Sequence, residues 1–293
     1  MWLWLALLSA FLLGFYDICK KKALAKNGPI EVLFAATAIS TLLLAPCLFV
    51  YGGPVGHHLM LAAKAVLVSA SWISGMYALK LLPITTVSPL KATRPFFVVL
   101  LSLLIFGEKL NALQYAGVAL ALASIALMSF SGKRDSAGAG DPDQRRERRA
   151  GYIAISVSIA AGVASALYDK HIMVSMKPLF VQSWTNLYIT LVVGLYLLIV
   201  RALARRSSSG VSAFRWDWIL LLTAVLITGA DMAYFFALGS EGALLSVISI
   251  VRRCAVLVTF VFGALIFKEK NLRGKSFALL VLLAGMVCLM LAN

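Results

Sequence analysis

Apolar runs separated by short polar clusters repeat along the whole chain, and most runs approach the roughly 20 residues that a helix needs to cross a hydrocarbon core. Ten spans are expected, at 2–24, 31–51, 59–80, 84–106, 112–130, 151–173, 180–201, 216–238, 243–267 and 274–291. The first run is followed, not preceded, by Lys20, Lys21, Lys22 and Lys26. That is the reverse of a secretory signal's charge order, so the run is expected to remain as the first helix. The expected fold class is an all-α polytopic membrane protein of about ten transmembrane helices, arranged as two inverted five-helix repeats.

The repeat is legible in the residues. A shift of 161 lays Leu104-Ile105-Phe106-Gly107-Glu108-Lys109 on Leu265-Ile266-Phe267-Lys268-Glu269-Lys270 and Ser88 on Ser249, and a shift of 152 lays Tyr16-Asp17 on Tyr168-Asp169. An odd number of crossings in each half turns the second half over relative to the first, an architecture found in many secondary transporters. The expected organisation is a first repeat at 1–130, a linker at 131–150 and a second repeat at 151–293. The linker is polar and rich in Gly, Asp and Arg, so it is expected to be flexible.

The basic residues between spans fall mostly on one side, and the other is nearly bare. Lys20 to Lys26, then Lys133, Arg134, Arg145, Arg146, Arg148 and Arg149, then Arg201, Arg205, Arg206 and Arg215, then Lys268, Lys270, Arg273 and Lys275 occupy alternate connections. By the positive-inside rule these connections are cytoplasmic, which puts both termini outside. The composition agrees with life in lipid: 61% hydrophobic and 13% charged residues, with a mean hydropathy of +0.93. The formal net charge of +15 raises nucleic-acid binding, but the charges sit in clusters flanking apolar runs rather than along one solvated face, so no nucleic-acid partner is expected. The four cysteines and three histidines have no metal or redox spacing, and no metal or cofactor is expected.

Four cations lie deep inside expected spans: Lys91 and Arg94 in the fourth, Arg252 and Arg253 in the ninth, with Ser249 one turn before the latter pair. Each central charge costs roughly 2.5–3.5 kcal/mol on insertion scales, so the four are expected to converge on one internal cavity. Asp17, Asp169 and Asp231 are the available counter-charges, and Tyr16 and Tyr168 stand beside two of them. Four cations against three carboxylates favour an anionic or zwitterionic solute held by charge-assisted hydrogen bonds. The plainer alternative is a set of structural ion pairs. Pro89 and Pro95 free carbonyls in the same helix, or simply kink it. Glu108 and Glu269, beside Lys109 and Lys270, are expected to be interfacial charges, and Gly162 to allow close helix packing.

The run from Ser88-Pro89-Leu90 through Pro95-Phe96-Phe97-Val98-Val99-Leu100-Leu101-Ser102-Leu103-Leu104-Ile105-Phe106-Gly107-Glu108-Lys109-Leu110, with the layout and repeat, resembles the EamA-like members of the drug/metabolite transporter superfamily. The resemblance covers nearly the whole chain. It implies an inner-membrane permease for amino acids or other metabolites, and a layout with both termini cytoplasmic; the loop charges imply the opposite, so both termini are expected outside. A narrower resemblance, to the organophosphate and nucleotide-sugar branch, implies phosphate contacts from Lys91, Arg252 and Arg253, with arginine at 252 where that branch has lysine. Tyr234 is the nearest candidate for that branch's tyrosine.

The expected function is secondary transport, by alternating access, of a small organophosphate, carboxylate or amino acid, by a monomer or a homodimer in the lipid bilayer. The expected substrate-binding residues are Lys91, Arg94, Arg252, Arg253, Asp17, Asp169, Tyr16, Tyr168, Asp231 and Tyr234. The competing reading is a membrane-embedded enzyme acting on a lipid or phosphate substrate. No nucleophile–base pair or nucleotide loop is present to support it, and no catalytic residue is assigned.

Overall fold

A computed structural model describes residues 1–82, 87, 90–91, 93–130, 142–206, 214–255, 258, 280–281, 284–285, 287–288 and 291. Among these residues the chain is all-helical. In chain order the helices are α1 (Trp2–Leu24), α2 (Pro29–Leu43), α3 (Ala45–Val50), α4 (Val55–Leu81), α5 (Arg94–Phe106), α6 (Ala112–Phe130), α7 (Pro142–Met173), α8 (Pro178–Arg206), α9 (Trp218–Leu238) and α10 (Leu245–Arg253). Five are long and apolar enough to cross a bilayer over Trp2–Leu24, Val55–Ala78, Arg145–Met173, Pro178–Leu203 and Trp218–Leu238, and shorter apolar helices accompany them. The protein is an all-α, multi-pass membrane protein.

Two departures from the expected boundaries have a clear physical cause. The expected span 31–51 is broken at Leu44 into α2 and α3, because Pro46 has no amide hydrogen and its ring opposes the carbonyl one turn back. Residues 142–150, expected to belong to a flexible linker, instead form the first turns of α7, with Pro142 at the start, where a missing N–H costs nothing. Residues 131–141 lie outside the described residues. So do Ser88, Pro89 and Glu269, and most of the expected tenth span.

The chain forms two compact units. The first comprises Met1–Ser69 and Tyr168–Glu241, the second Ala70–Leu167 and Gly242–Asn293. In the first, α1 packs along α9, and α9 along α2 and α8. Small residues make this approach close: Ala6, Ala10, Ala230, Ala233 and Ala237 are buried, and Ser9 donates to the Ala230 carbonyl at 2.7 Å. With hydrocarbon on the outside, helices gain little from hiding apolar surface from one another, so tight contact and interhelical hydrogen bonds hold them together. Thr41 and Thr190 hydroxyls meet at 3.0 Å, and Gln182 donates to the Thr228 carbonyl at 2.7 Å. At one end Lys26 pairs with Asp217 at 2.6 Å, and Asp217 caps α9 by accepting from the Ile219 amide at 3.1 Å.

In the second unit, α4 and α7 are joined by reciprocal bonds: Ser71 donates to the Ser158 carbonyl at 2.7 Å and Ser158 to the Ser71 carbonyl at 2.6 Å. Ala78, Leu82, Val87 and Ile155 form the adjoining apolar core. α5 ends at Gly107, whose φ of 59° suits glycine because it carries no Cβ to clash. That turn delivers Glu108 to the start of α10. Its carboxylate accepts from the Leu245 amide at 2.8 Å, the Ser246 amide at 3.2 Å and the Ser246 hydroxyl at 2.5 Å. Glu108 is buried within the protein. A helix beginning inside apolar surroundings must satisfy its first amides, and an anion there also meets the positive end of the helix dipole.

Candidate functional site

The expected site residues divide between the two units. Tyr16, Asp17, Tyr168, Asp169, Asp231 and Tyr234 belong to the first, and Lys91, Arg94, Arg252 and Arg253 to the second.

In the first unit Asp169 is paired with a residue that the sequence reading passed over. The Lys64 ammonium forms an ion pair with Asp169 Oδ1, and the Tyr234 hydroxyl donates to Asp169 Oδ2 at 3.1 Å. The Lys64 Nζ also lies 4.7 Å from the centroid of the Phe235 ring. The Lys64 and Asp169 side chains are only 3% and 8% exposed, so this is a buried, locally neutral pair. α4 rises about 1.5 Å per residue, which puts Lys64 about 13 Å from the helix start at Val55, inside a core about 30 Å thick. The signal in the sequence was the lysine itself: a lone ammonium within an apolar span requires a counter-charge.

Tyr16 and Asp17 form a second, half-buried group with Lys20, whose Nζ is 2.7 Å from Asp17 Oδ1 and 4.6 Å from the Tyr16 ring centroid. Asp231 lies within electrostatic reach of the Tyr16 phenol. Tyr168 stacks on His171 at 6.1 Å.

In the second unit the two cations of the expected fourth span are accommodated by glycines. A Cβ on Gly162 of α7 would stand 2.7 Å from Arg94 Cζ, and one on Gly75 of α4 would stand 2.8 Å from Lys91 Nζ and 2.9 Å from Ser158 Oγ. Arg94 donates to the Gly162 carbonyl at 2.5 Å. Gly162 therefore makes room for a guanidinium rather than for a neighbouring helix. Ser158 and Gly162 are one turn apart on α7, as Ser71 and Gly75 are on α4, so the two cation heads occupy successive levels of one polar seam.

Arg252 and Arg253 close the last turn of α10, half-buried, where a positive charge complements the carbonyl end of the helix. Glu108 fixes the start of α10 at the far end of α5, and α10 packs on α5. α10 therefore runs back along α5, which directs Arg252 and Arg253 toward the end that begins with Arg94. Fixed guanidinium and ammonium donors in apolar surroundings suit carboxylate or phosphate oxygens. Among the described residues no group of three or more His, Cys, Asp or Glu is placed to hold a metal ion.

A solved crystal structure described only as "Crystal structure of protein" has the same fold, with a TM-score of 0.76 at 13% identity over 99% of this chain and 97% of that one. No curated protein matches the chain. Residues 1–130, the stretch that supplies Tyr16, Asp17, Lys64, Lys91 and Arg94, match the EamA-like transporter family.

Proposed function

We propose that the protein is a secondary transporter of the inner membrane that moves a small anionic or zwitterionic metabolite by alternating access, with both termini outside. The observation that carries this reading is the glycine-lined seam holding Lys91 and Arg94 within the apolar helices of the second unit. The match of residues 1–130 to a transporter family supports it independently. Lys91, Arg94, Arg252 and Arg253 bind the anionic group of the solute. An organophosphate, a carboxylate and an amino acid all present such a group, and the planar fork of arginine fits carboxylate and phosphate oxygens alike. Asp169 pairs with Lys64 and Asp17 with Lys20, so these two carboxylates have counter-charges within the first unit.

The test is uptake of labelled phosphorylated, carboxylated and amino-acid solutes by liposomes containing the purified protein. Lys91→Gln and Arg252→Gln should abolish uptake while leaving the melting temperature near that of the parent. An Arg252→Gln protein that is destabilised yet still active would overturn the assignment. A cysteine at Gly56 that reacts with an impermeant maleimide in intact cells, with one at Ala137 that does not, is the expected orientation result; the opposite pattern would reverse the topology.

A further inference from the structure

We infer that the first turns of α7 form a binding site for an anionic phospholipid of the adjoining leaflet. α7 is 32 residues long, or about 48 Å at 1.5 Å per residue, well beyond the roughly 30 Å of the hydrocarbon core. Its first turns therefore reach the headgroup layer. There Arg145, Arg148 and Arg149 border one shallow, open and mostly apolar groove together with Tyr152, Ile153, Ser156 and Val157, about 560 Å³ in volume. The spacing of three and four residues puts them on one helix face, and Arg146, from the same charged run, does not line the groove.

The order of chemistry along the axis matches one molecule. Three guanidiniums come first and meet a phosphate. Tyr152 follows about one turn later, with an aromatic body and a hydroxyl suited to the ester region. Ile153 and Val157 come last, at the depth of the acyl chain. Tyr152, Ile153 and Val157 are 49%, 57% and 46% exposed, so the protein leaves about half of this face uncovered. The positive-inside rule accounts for basic residues near a helix end, but not for their alignment with an aromatic and an apolar strip in one groove. A soluble anion would use the guanidiniums and leave that strip unused, so the occupant is phosphatidylglycerol or another lipid with a single anionic phosphate.

Native mass spectrometry of the full-length protein, from detergent doped equally with phosphatidylglycerol and phosphatidylcholine, tests the site. Phosphatidylglycerol should be retained preferentially. Combined Arg145→Gln, Arg148→Gln and Arg149→Gln changes should cut its retention at least about tenfold, the equivalent of one weak charge-assisted contact, and Tyr152→Ala should cut it less. The melting temperature in phosphatidylcholine alone reports folding and should not move, because these side chains are exposed. Equal retention of both lipids, or full retention by the triple variant, would overturn the proposal. Complete displacement by millimolar inorganic phosphate would overturn it in favour of a soluble-anion site.

Discussion

Lys64→Met offers the sharpest test of how this fold carries charge through lipid. The substitution keeps an unbranched apolar side chain against the Phe235 ring and removes the ammonium that neutralises Asp169. Asp169 is then left with the Tyr234 hydroxyl at 3.1 Å and no counter-charge, in a position that excludes water. Breaking a buried pair from one side costs about 3–5 kcal/mol, because the orphaned charge keeps its full desolvation penalty. Asp169→Asn should cost a similar amount by orphaning the Lys64 ammonium. The combination of the two removes both charges and keeps an oxygen acceptor for Tyr234. It should therefore sit within about 1–2 kcal/mol of the parent, the scale of one altered hydrogen bond. Unfolding in mixed micelles with increasing SDS, followed by tryptophan fluorescence, reads all four proteins on one axis. Two results would refute the reasoning: a Lys64→Met protein that unfolds with the parent, or a double variant as unstable as the two single losses added together.

Gly162→Ala would ordinarily stabilise a helix by about 0.5–1 kcal/mol, but here the new methyl must displace the Arg94 guanidinium. Loss of that charged hydrogen bond, about 1.5–3 kcal/mol, outweighs the helix gain, so the variant should unfold at lower SDS than the parent, and displacement of the guanidinium should lower liposome uptake. Glu108→Ala leaves two amides and a hydroxyl at the start of α10 without their acceptor, and should destabilise the protein by about 1–3 kcal/mol in the same SDS assay. At the exposed end of α9, the hydrogen bond from Lys26 and then that from the Ile219 amide hold Asp217 below the usual carboxylate range. The stability this pair contributes is present above the ordinary aspartate value of about 3.9 and is lost as pH falls through the depressed folded value. Asp217→Asn should therefore flatten the fall in melting temperature between neutral pH and about pH 3; an unchanged acid slope would dissociate the pair from stability.

The sequence determined the membrane character and most of the helix positions by itself, because lipid demands long apolar runs whose backbone bonds close within each segment. α1 and α6 occupy the expected spans of 2–24 and 112–130. It also singled out Lys91, Arg94, Arg252 and Arg253, since a charge in an apolar run is visible without any knowledge of neighbours. What it could not determine was pairing. Lys64 and Asp169 are 105 residues apart, and Glu108 is 137 from Leu245, so no local pattern links either pair. The same limit hid the role of Gly162: a glycine in a helix looks alike whether it admits another backbone or a guanidinium, and only packing distinguishes them. The helical start of α7 was obscured because a charged, glycine-containing stretch reads as a linker. Its continuity with an apolar span lets it propagate as helix, without the cost of a new nucleus. Hydropathy is a property of each residue in its own segment, whereas ion pairs, caps and close approaches join segments distant in the chain, and the tertiary structure alone decides those.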